Sequence, residues 1–227
     1  MAGVPILTLN DGNTIPQLGL GVWQVEPAIT ARVVRDGIAA GYRLIDTAEG
    51  YDNEQGVGEA IRTADVAREQ LFITSKLRNG GHARDLALGS FEETMLKLGL
   101  ERLDMFLIHW PVPGQDKYVE AWKTLVELRQ QGRIASIGVS NFNRDHLERI
   151  IGETGVTPAV NQIELHRWHV QQGNIVIPKS THAKRQRENI DVFDFELSED
   201  EMRAISGLDR GEAGRTGGNP ATNNDTF

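Results

Sequence analysis

Three ionisable residues each close a short apolar run: Asp46 after YRLI, Lys76 after LFITS and His109 after DMFLI. Tyr51 follows Asp46 by five residues, near enough to turn back over the same ground. If the run ends converge, the four groups form a proton-donating set. Burial disfavours a lone ammonium and a neighbouring carboxylate restores it, so Asp46 would keep Lys76 charged. An ammonium beside Tyr51 stabilises tyrosinate and lowers the phenol from its usual pKa of about 10. The result is a general acid better matched to neutral pH, while His109 hydrogen-bonds a substrate oxygen. Such a set suits protonation of a carbonyl oxygen as a hydride arrives at carbon. Taken singly, each residue has a plainer role: Asp46 a helix cap, Lys76 a rim lysine, His109 a core histidine beside Trp110. The joint placement on three consecutive runs carries the chemistry.

The elements that must position these residues are legible from the same runs. LGLGVW (18–23), YRLIDTA (42–48), LFITSKL (71–77), DMFLIHW (104–110), IASIGVSNF (134–142), AVNQIEL (159–165) and NIVIPKS (174–180) are apolar without alternation. They read as parallel strands buried on both faces. Residues 83–98 place Ala87, Phe91, Met95 and Leu98 on one helical stripe, with Gly99 as a stop. Residues 116–131 repeat the pattern with Val119, Trp122, Val126 and Leu128, closed by Gly132, and Ser198 with Glu201 is a capping-box signature. Strand alternating with helix means an α/β fold with a parallel sheet.

Polar residues at the run ends (Asp46, Lys76, His109, Ser140, Glu164, Lys179) are separated by 30, 33, 31, 24 and 15 residues. A strand–helix–strand unit takes roughly 30 residues, so the last interval is about half a unit. The rhythm is that of an eight-unit (β/α) TIM barrel with one strand–helix unit missing from the sequence between His166 and Arg167. A barrel open there has two unpaired strand edges, and a further segment is expected to complete it. Ahead of the repeats, Asn10-Asp11-Gly12-Asn13 between two apolar runs predicts an N-terminal β-hairpin. The Gly- and Asn-rich stretch 211–227 reads as a mobile tail.

Composition narrows the function classes. No cysteine is present, which removes disulfides, thiolate metal sites and cysteine nucleophiles. Lys+Arg 24 against Asp+Glu 32, net −8, argues against a nucleic-acid or anionic-membrane surface. No apolar stretch approaches the ~20 residues of a membrane span, and the first residues lack a basic leader region. The expectation is one cytoplasmic domain over residues 1–227, a monomer without a metal, acting on a small molecule. Gly19-Leu20-Gly21 and Gly56-Val57-Gly58 lack the third glycine and the strand–turn–helix context of a dinucleotide fingerprint, so a Rossmann fold is rejected.

The same residues resemble the aldo-keto reductase family over most of the chain, with bacterial 2,5-diketo-gluconate reductase-type enzymes as the nearest likeness. DTAEGYDNE (46–54) resembles the family's Asp-Thr-Ala-x-x-Tyr-x-Asn-Glu segment, LFITSKL its lysine strand and LIHWP (107–111) its histidine strand. GVSNF (138–142), VNQIELH (160–166) and IPKSTHAKRQRENI (177–190) resemble its cofactor segments. The resemblance implies a (β/α)8 barrel, NADPH across its mouth and a small carbonyl substrate. It implies Tyr51 as general acid, Lys76 and Asp46 tuning it, and His109 orienting the carbonyl. It assigns Ser140, Asn141 and Gln162 to the nicotinamide carboxamide, and Lys179, Ser180 and Arg185 to the adenosine 2′-phosphate. Glu188 and Asn189 fall near the adenine. Trp23, Arg78 and Trp110 fall in the substrate pocket; Arg78 stands where relatives carry Trp, either a feature that favours anionic substrates or merely a rim charge. The sequence alone also admits a nicotinamide-binding barrel without turnover, acting as a sensor or interaction module. A Schiff-base aldolase using Lys76 is weakened by Asp46 and by the basic cluster of Lys179, Lys184, Arg185 and Arg187.

Overall fold

Gly12, at φ +87, takes the left-handed conformation that the turn after Asn10 and Asp11 demands. That turn joins β1 (Ile6–Thr8) to β2 (Thr14–Pro16), antiparallel with Leu7 opposite Ile15. This is the expected hairpin, in a computed structural model that describes residues 4–162, 167–194, 196–208 and 218–226. Ile15 is buried with Leu44, Met105 and Leu107, so the hairpin fills the inside of the sheet that follows.

The sheet comprises β3 (Gly19–Gly21), β4 (Leu44–Asp46), β5 (Phe72–Leu77), β6 (Leu103–Ile108), β7 (Ile134–Ser140) and β8 (Asn161–Gln162). All neighbours are parallel and in chain order. Alternate residues serve two cores. Leu44, Met105 and Leu107 face the interior cluster, while Ile45, Phe106 and Ile108 join the larger cluster beneath the helices. Runs that lack polar alternation are thus explained by burial on both faces.

Around the sheet lie α1 (Pro27–Ala40), α2 (Glu54–Thr63), α3 (Arg84–Leu98), α4 (Tyr118–Gln130) and α5 (Arg144–Thr154). After β8 come α6 (Arg167–Gln171), α7 (Ala183–Ile190) and α8 (Glu199–Ser206). The α3 stripe Ala87, Phe91, Met95 and Leu98 is buried as its periodicity requires, and Gly99 ends the helix in the left-handed region. Ser198 caps α8 through Glu201, whose carboxylate accepts back from the Ser198 N–H at 2.8 Å. Gly58 lets α2 close on the end of α3, since a Cβ there would lie 2.5 Å from the Leu98 carbonyl oxygen.

Two expected strands come out shorter. Residues 174–180 join β3 only through the parallel bridges Leu18–Val176 and Gly21–Lys179. Pro178 has no N–H to continue a ladder. Gly21 permits the approach, because a Cβ there would sit 2.9 Å from the Ile177 carbonyl oxygen. Of the run 159–165, Asn161 and Gln162 form β8; 163–166, with Glu164, lie outside the described residues. The sheet curls enough for Gln162 on β8 to touch Asp46 on β4. Described residues supply six strands and the bridging segment of the eight expected. Interior side chains near both edges, Ala159 and Val160 beside β8 and Ile175 and Ile177 beside β3, are only partly buried.

The C-terminal stretch departs from its expectation. Its described part, 218–226, packs on the loops after β5 and β6. Asn79 Nδ2 donates to the Asp225 carbonyl at 2.7 Å, and the Gly114 N–H donates to Asn224 Oδ1 at 2.6 Å. Gly218 lies against the Trp110 ring, 3.1 Å from its would-be Cβ. A low-complexity composition does not prevent ordering where side-chain amides satisfy loop backbone groups.

Candidate active site

Asp46 ends β4, Lys76 lies one residue from the end of β5, and His109 follows β6 directly. Their convergence is therefore a property of adjacent parallel strands. Lys76 is fully buried and Asp46 is 3% exposed. Lys76 Nζ donates to Asp46 Oδ2 at 2.7 Å, to the Thr47 carbonyl at 2.9 Å and to the Tyr51 hydroxyl at 3.3 Å. Burial works against the ammonium, but the charges of Asp46 and Tyr51 and their hydrogen bonds outweigh it and raise the Lys76 pKa. The His109 ring meets the Tyr51 ring edge-on at 5.5 Å. Burial, and then the Lys76 charge, pull the His109 pKa down to about 3. His109 is therefore neutral at physiological pH and can donate one N–H. A positively charged amine, a phenol and a neutral imidazole around one point can polarise and protonate an oxygen.

Tyr51 is held by groups the sequence reading did not single out. It closes a short 3-10 turn, Glu49–Tyr51, and Asp52 follows at φ +55. Asn53 is buried; its Oδ1 accepts from Thr47 Oγ1 at 2.8 Å, and its Nδ2 donates to the Val22 and Val25 carbonyls at 2.9 and 3.2 Å. The turn is thus tied to both β4 and the loop after β3. Buried Glu54 accepts from Ser75 Oγ at 2.6 Å and Thr94 Oγ1 at 3.3 Å, and burial raises its pKa. Ser75 precedes Lys76, so this carboxyl braces the strand from its outer face. Three polar residues in a row between two buried elements were the available signal.

The remaining assigned residues divide into two groups. Ser140 and Asn141 sit at the end of β7. Ser140 Oγ donates to the Gln162 carbonyl at 3.1 Å, and Asn141 Nδ2 donates to the His109 carbonyl at 3.0 Å. Gln162 Nε2 donates to Asp46 Oδ1 at 2.9 Å, which brings it into the Asp46–Lys76 cluster. Lys179, Arg185 and Glu188 are exposed, Asn189 is half-buried and Ser180 is buried. Ser180 Oγ accepts from the His182 N–H at 3.2 Å, and Gln186 Nε2 donates to the Ser180 carbonyl at 2.9 Å, so the loop entering α7 is fixed. Among the described residues no carboxylate pairs with Lys179 or Arg185. Trp23 is half exposed at 51% and Trp110 half-buried. The Arg78 guanidinium lies 3.8 Å from buried Glu49.

Comparisons with known proteins identify the family and its fold. The model of the family described as "Aldo/keto reductase family" matches residues 16–166. An aldo-keto reductase of Mycobacterium sp. (strain KMS) is 42% identical over 276 aligned positions, covering 99% of each chain. The methylglyoxal reductase DkgA of Escherichia coli (strain K12) is 41% identical, covering 93% of this chain and 96% of its own. Among solved structures, a variant of Gox0644 in complex with NADPH superposes with a TM-score of 0.93 at 40% identity, covering 98% of this chain and 99% of its own. The alignment with the Mycobacterium protein, at 276 positions, is longer than the 227 residues of this chain. The family match stops at His166, where the strand spacing collapses.

Proposed function

The chain belongs to the aldo/keto reductase family, and from that premise we propose that it reduces small aldehydes or ketones to alcohols with NADPH. The observation that carries the reading is the buried Asp46–Lys76 pair with its ammonium 3.3 Å from the Tyr51 hydroxyl. The fold is read as a single-domain (β/α)8 barrel over residues 1–227, short of one strand–helix unit.

The residues present fit the cofactor at both ends. Exposed Lys179 and Arg185, unpaired with carboxylates among the described residues, suit a 2′-phosphate, the guanidinium by bidentate contact. Ser180, Glu188 and Asn189 flank the adenosine end, and the hydroxyl and amides of Ser140, Asn141 and Gln162 match a carboxamide's donors and acceptors. When bound, NADPH supplies the hydride. The chain's own residues do the rest. Tyr51 gives its hydroxyl proton to the carbonyl oxygen. Lys76, kept charged by Asp46, stabilises the phenolate that this leaves. Neutral His109 donates to the same oxygen and fixes its direction. On this reading Trp23, Trp110 and Arg78 belong to the substrate pocket; Gly218 lies against the Trp110 ring. Arg78 adds a cation at the rim, which favours carbonyl compounds that also carry an anionic group.

Tyr51→Phe tests the reading. Loss of a general acid costs about 10²–10⁴-fold in rate, while NADPH binding, followed by tryptophan fluorescence, survives. Turnover close to that of the parent would remove Tyr51 from the mechanism.

A further inference from the structure

Four groups form one chain of hydrogen bonds: the Gln162 amide to Asp46 Oδ1 at 2.9 Å, Lys76 Nζ to Asp46 Oδ2 at 2.7 Å, and Lys76 Nζ to the Tyr51 hydroxyl at 3.3 Å. Gln162 stands 116 residues from Asp46 in sequence and four strands away in the sheet. Its backbone is pinned by β7. Ser140 Oγ and the Asn141 N–H both donate to the Gln162 carbonyl, each at 3.1 Å. From that fixed point the side chain spans the interior to reach the carboxylate.

We propose that Gln162 is a positioning residue of the proton donor: its N–H on Asp46 sets how much of the Lys76 charge reaches the Tyr51 phenol. The reasoning is electrostatic. A carboxylate that accepts a hydrogen bond on one oxygen has part of its negative charge offset. Asp46 then neutralises Lys76 less completely, and the ammonium exerts more of its field on Tyr51. Remove the Gln162 donor and Asp46 screens Lys76 more strongly, so tyrosinate loses stabilisation and the phenol becomes a weaker acid. The low dielectric around buried Lys76 magnifies the effect.

Described residues approach the phenol from three neighbouring strands. Lys76 approaches from β5, Asp46 from β4 and the neutral His109 ring from the end of β6. Glu49, on the Tyr51 turn itself, faces Arg78, and Glu54 faces Ser75 and Thr94. With Nε2 spent on Asp46, Oε1 of Gln162 is the atom suited to accept from a carboxamide N–H, so one side chain can serve cofactor and proton donor together. The inference deepens the proposed reduction and rests on Tyr51 being its acid.

The experiment is an alkaline titration of the cofactor-free protein by tyrosinate absorbance. The chain has three tyrosines, and the Tyr51 step is identified as the one lost in Tyr51→Phe. In Gln162→Met, which keeps the length but removes the donor, this step should move up by about half a pH unit. Gln162→Glu, which adds a negative charge, should move it further in the same direction. In an Asp46→Asn background, Gln162→Met should leave the step where it is, because its route to Lys76 is gone. An unmoved or lowered step in Gln162→Met, with circular dichroism unchanged, overturns the proposal. So does an equal upward shift in the Asp46→Asn background. Should Gln162→Met fail to fold, the shorter Gln162→Asn removes the same contact and is judged by the same criteria. None of these readouts needs turnover, so a protein that reduces no carbonyl can still pass, and an active reductase can still fail.

Discussion

Separating the two halves of the Asp46–Lys76 pair should cost far more than removing both together. Lys76 is fully buried, and among the described residues its Nζ has one ion-pair partner, Asp46; the Thr47 carbonyl and the Tyr51 hydroxyl are its other contacts. Asp46→Leu leaves that ammonium in a dry site with neutral acceptors alone. Stranding one member of a buried pair costs about 3–5 kcal/mol. Lys76→Met strands the carboxylate instead, with the Gln162 amide as its donor, and belongs in the same range. The double variant Asp46→Leu/Lys76→Met carries no charge and similar volume. It should lie within about 1–2 kcal/mol of the parent, since well-packed apolar replacements of buried pairs are often near neutral. The coupling energy is then several kcal/mol, to be read from urea denaturation of the four proteins at pH 7.

The pH dependence gives a second handle on the same pair. In the parent the Lys76 pKa is raised above 10.5, so its stabilisation is present below 10.5 and is lost as pH climbs through the higher folded value. In Asp46→Leu only Tyr51 still raises the Lys76 pKa, and burial, the largest single influence, should then bring it beneath 10.5. That variant should recover stability as pH rises from the lowered value towards 10.5. A double variant as unstable as the two singles added together would refute the reasoning. So would singles that cost less than about 1 kcal/mol, the value of an exposed pair.

Three further outcomes follow from other parts of the molecule. NADPH should bind more tightly than NADH, and Arg185→Ala should remove most of the difference; equal affinities in the parent, titrated by protein fluorescence, would show the basic cluster to be only a solvated face. His82 is fully buried, with neither ring nitrogen bonded, and burial lowers its pKa from 6.5 to about 4. The unfolded chain takes up that proton first, so stability falls as pH drops from 6.5 to about 4, by about 3 kcal/mol from this group; His82→Phe should flatten that fall, and an unchanged acid limb would exclude the imidazole as its source. Grafting the matching segment of a relative between His166 and Arg167 should cover both open sheet edges and raise the melting temperature, whereas an unaltered melting curve with the segment folded in place would mean that the sheet does not need it.

The sequence by itself determined the strand–helix rhythm, the three reactive groups at its strand ends and Tyr51 five residues after the first of them. These are local signals. A run buried on both faces must be apolar throughout, and successive parallel strands carry their C-terminal ends to one side, so Asp46, Lys76 and His109 had to meet. The half-length interval before Lys179 was equally visible, because a crossover has a minimum length. What sequence could not show depends on distances across the curled sheet. Gln162 reads as a polar residue in an apolar run, and only the curl carries its amide to Asp46. Asn53 and Glu54 look like ordinary helix-start residues until β3, β4 and α3 close around them. The tail 218–226 reads as unstructured, yet Asn224 and the Asp225 backbone bind the Gly114 N–H and the Asn79 amide. Apart from Thr47, six residues from Asn53, the partners lie about twenty residues away or more. Periodicity reports how a segment meets its own element, whereas a long-range hydrogen bond exists only once the packed elements have set both ends at bonding distance.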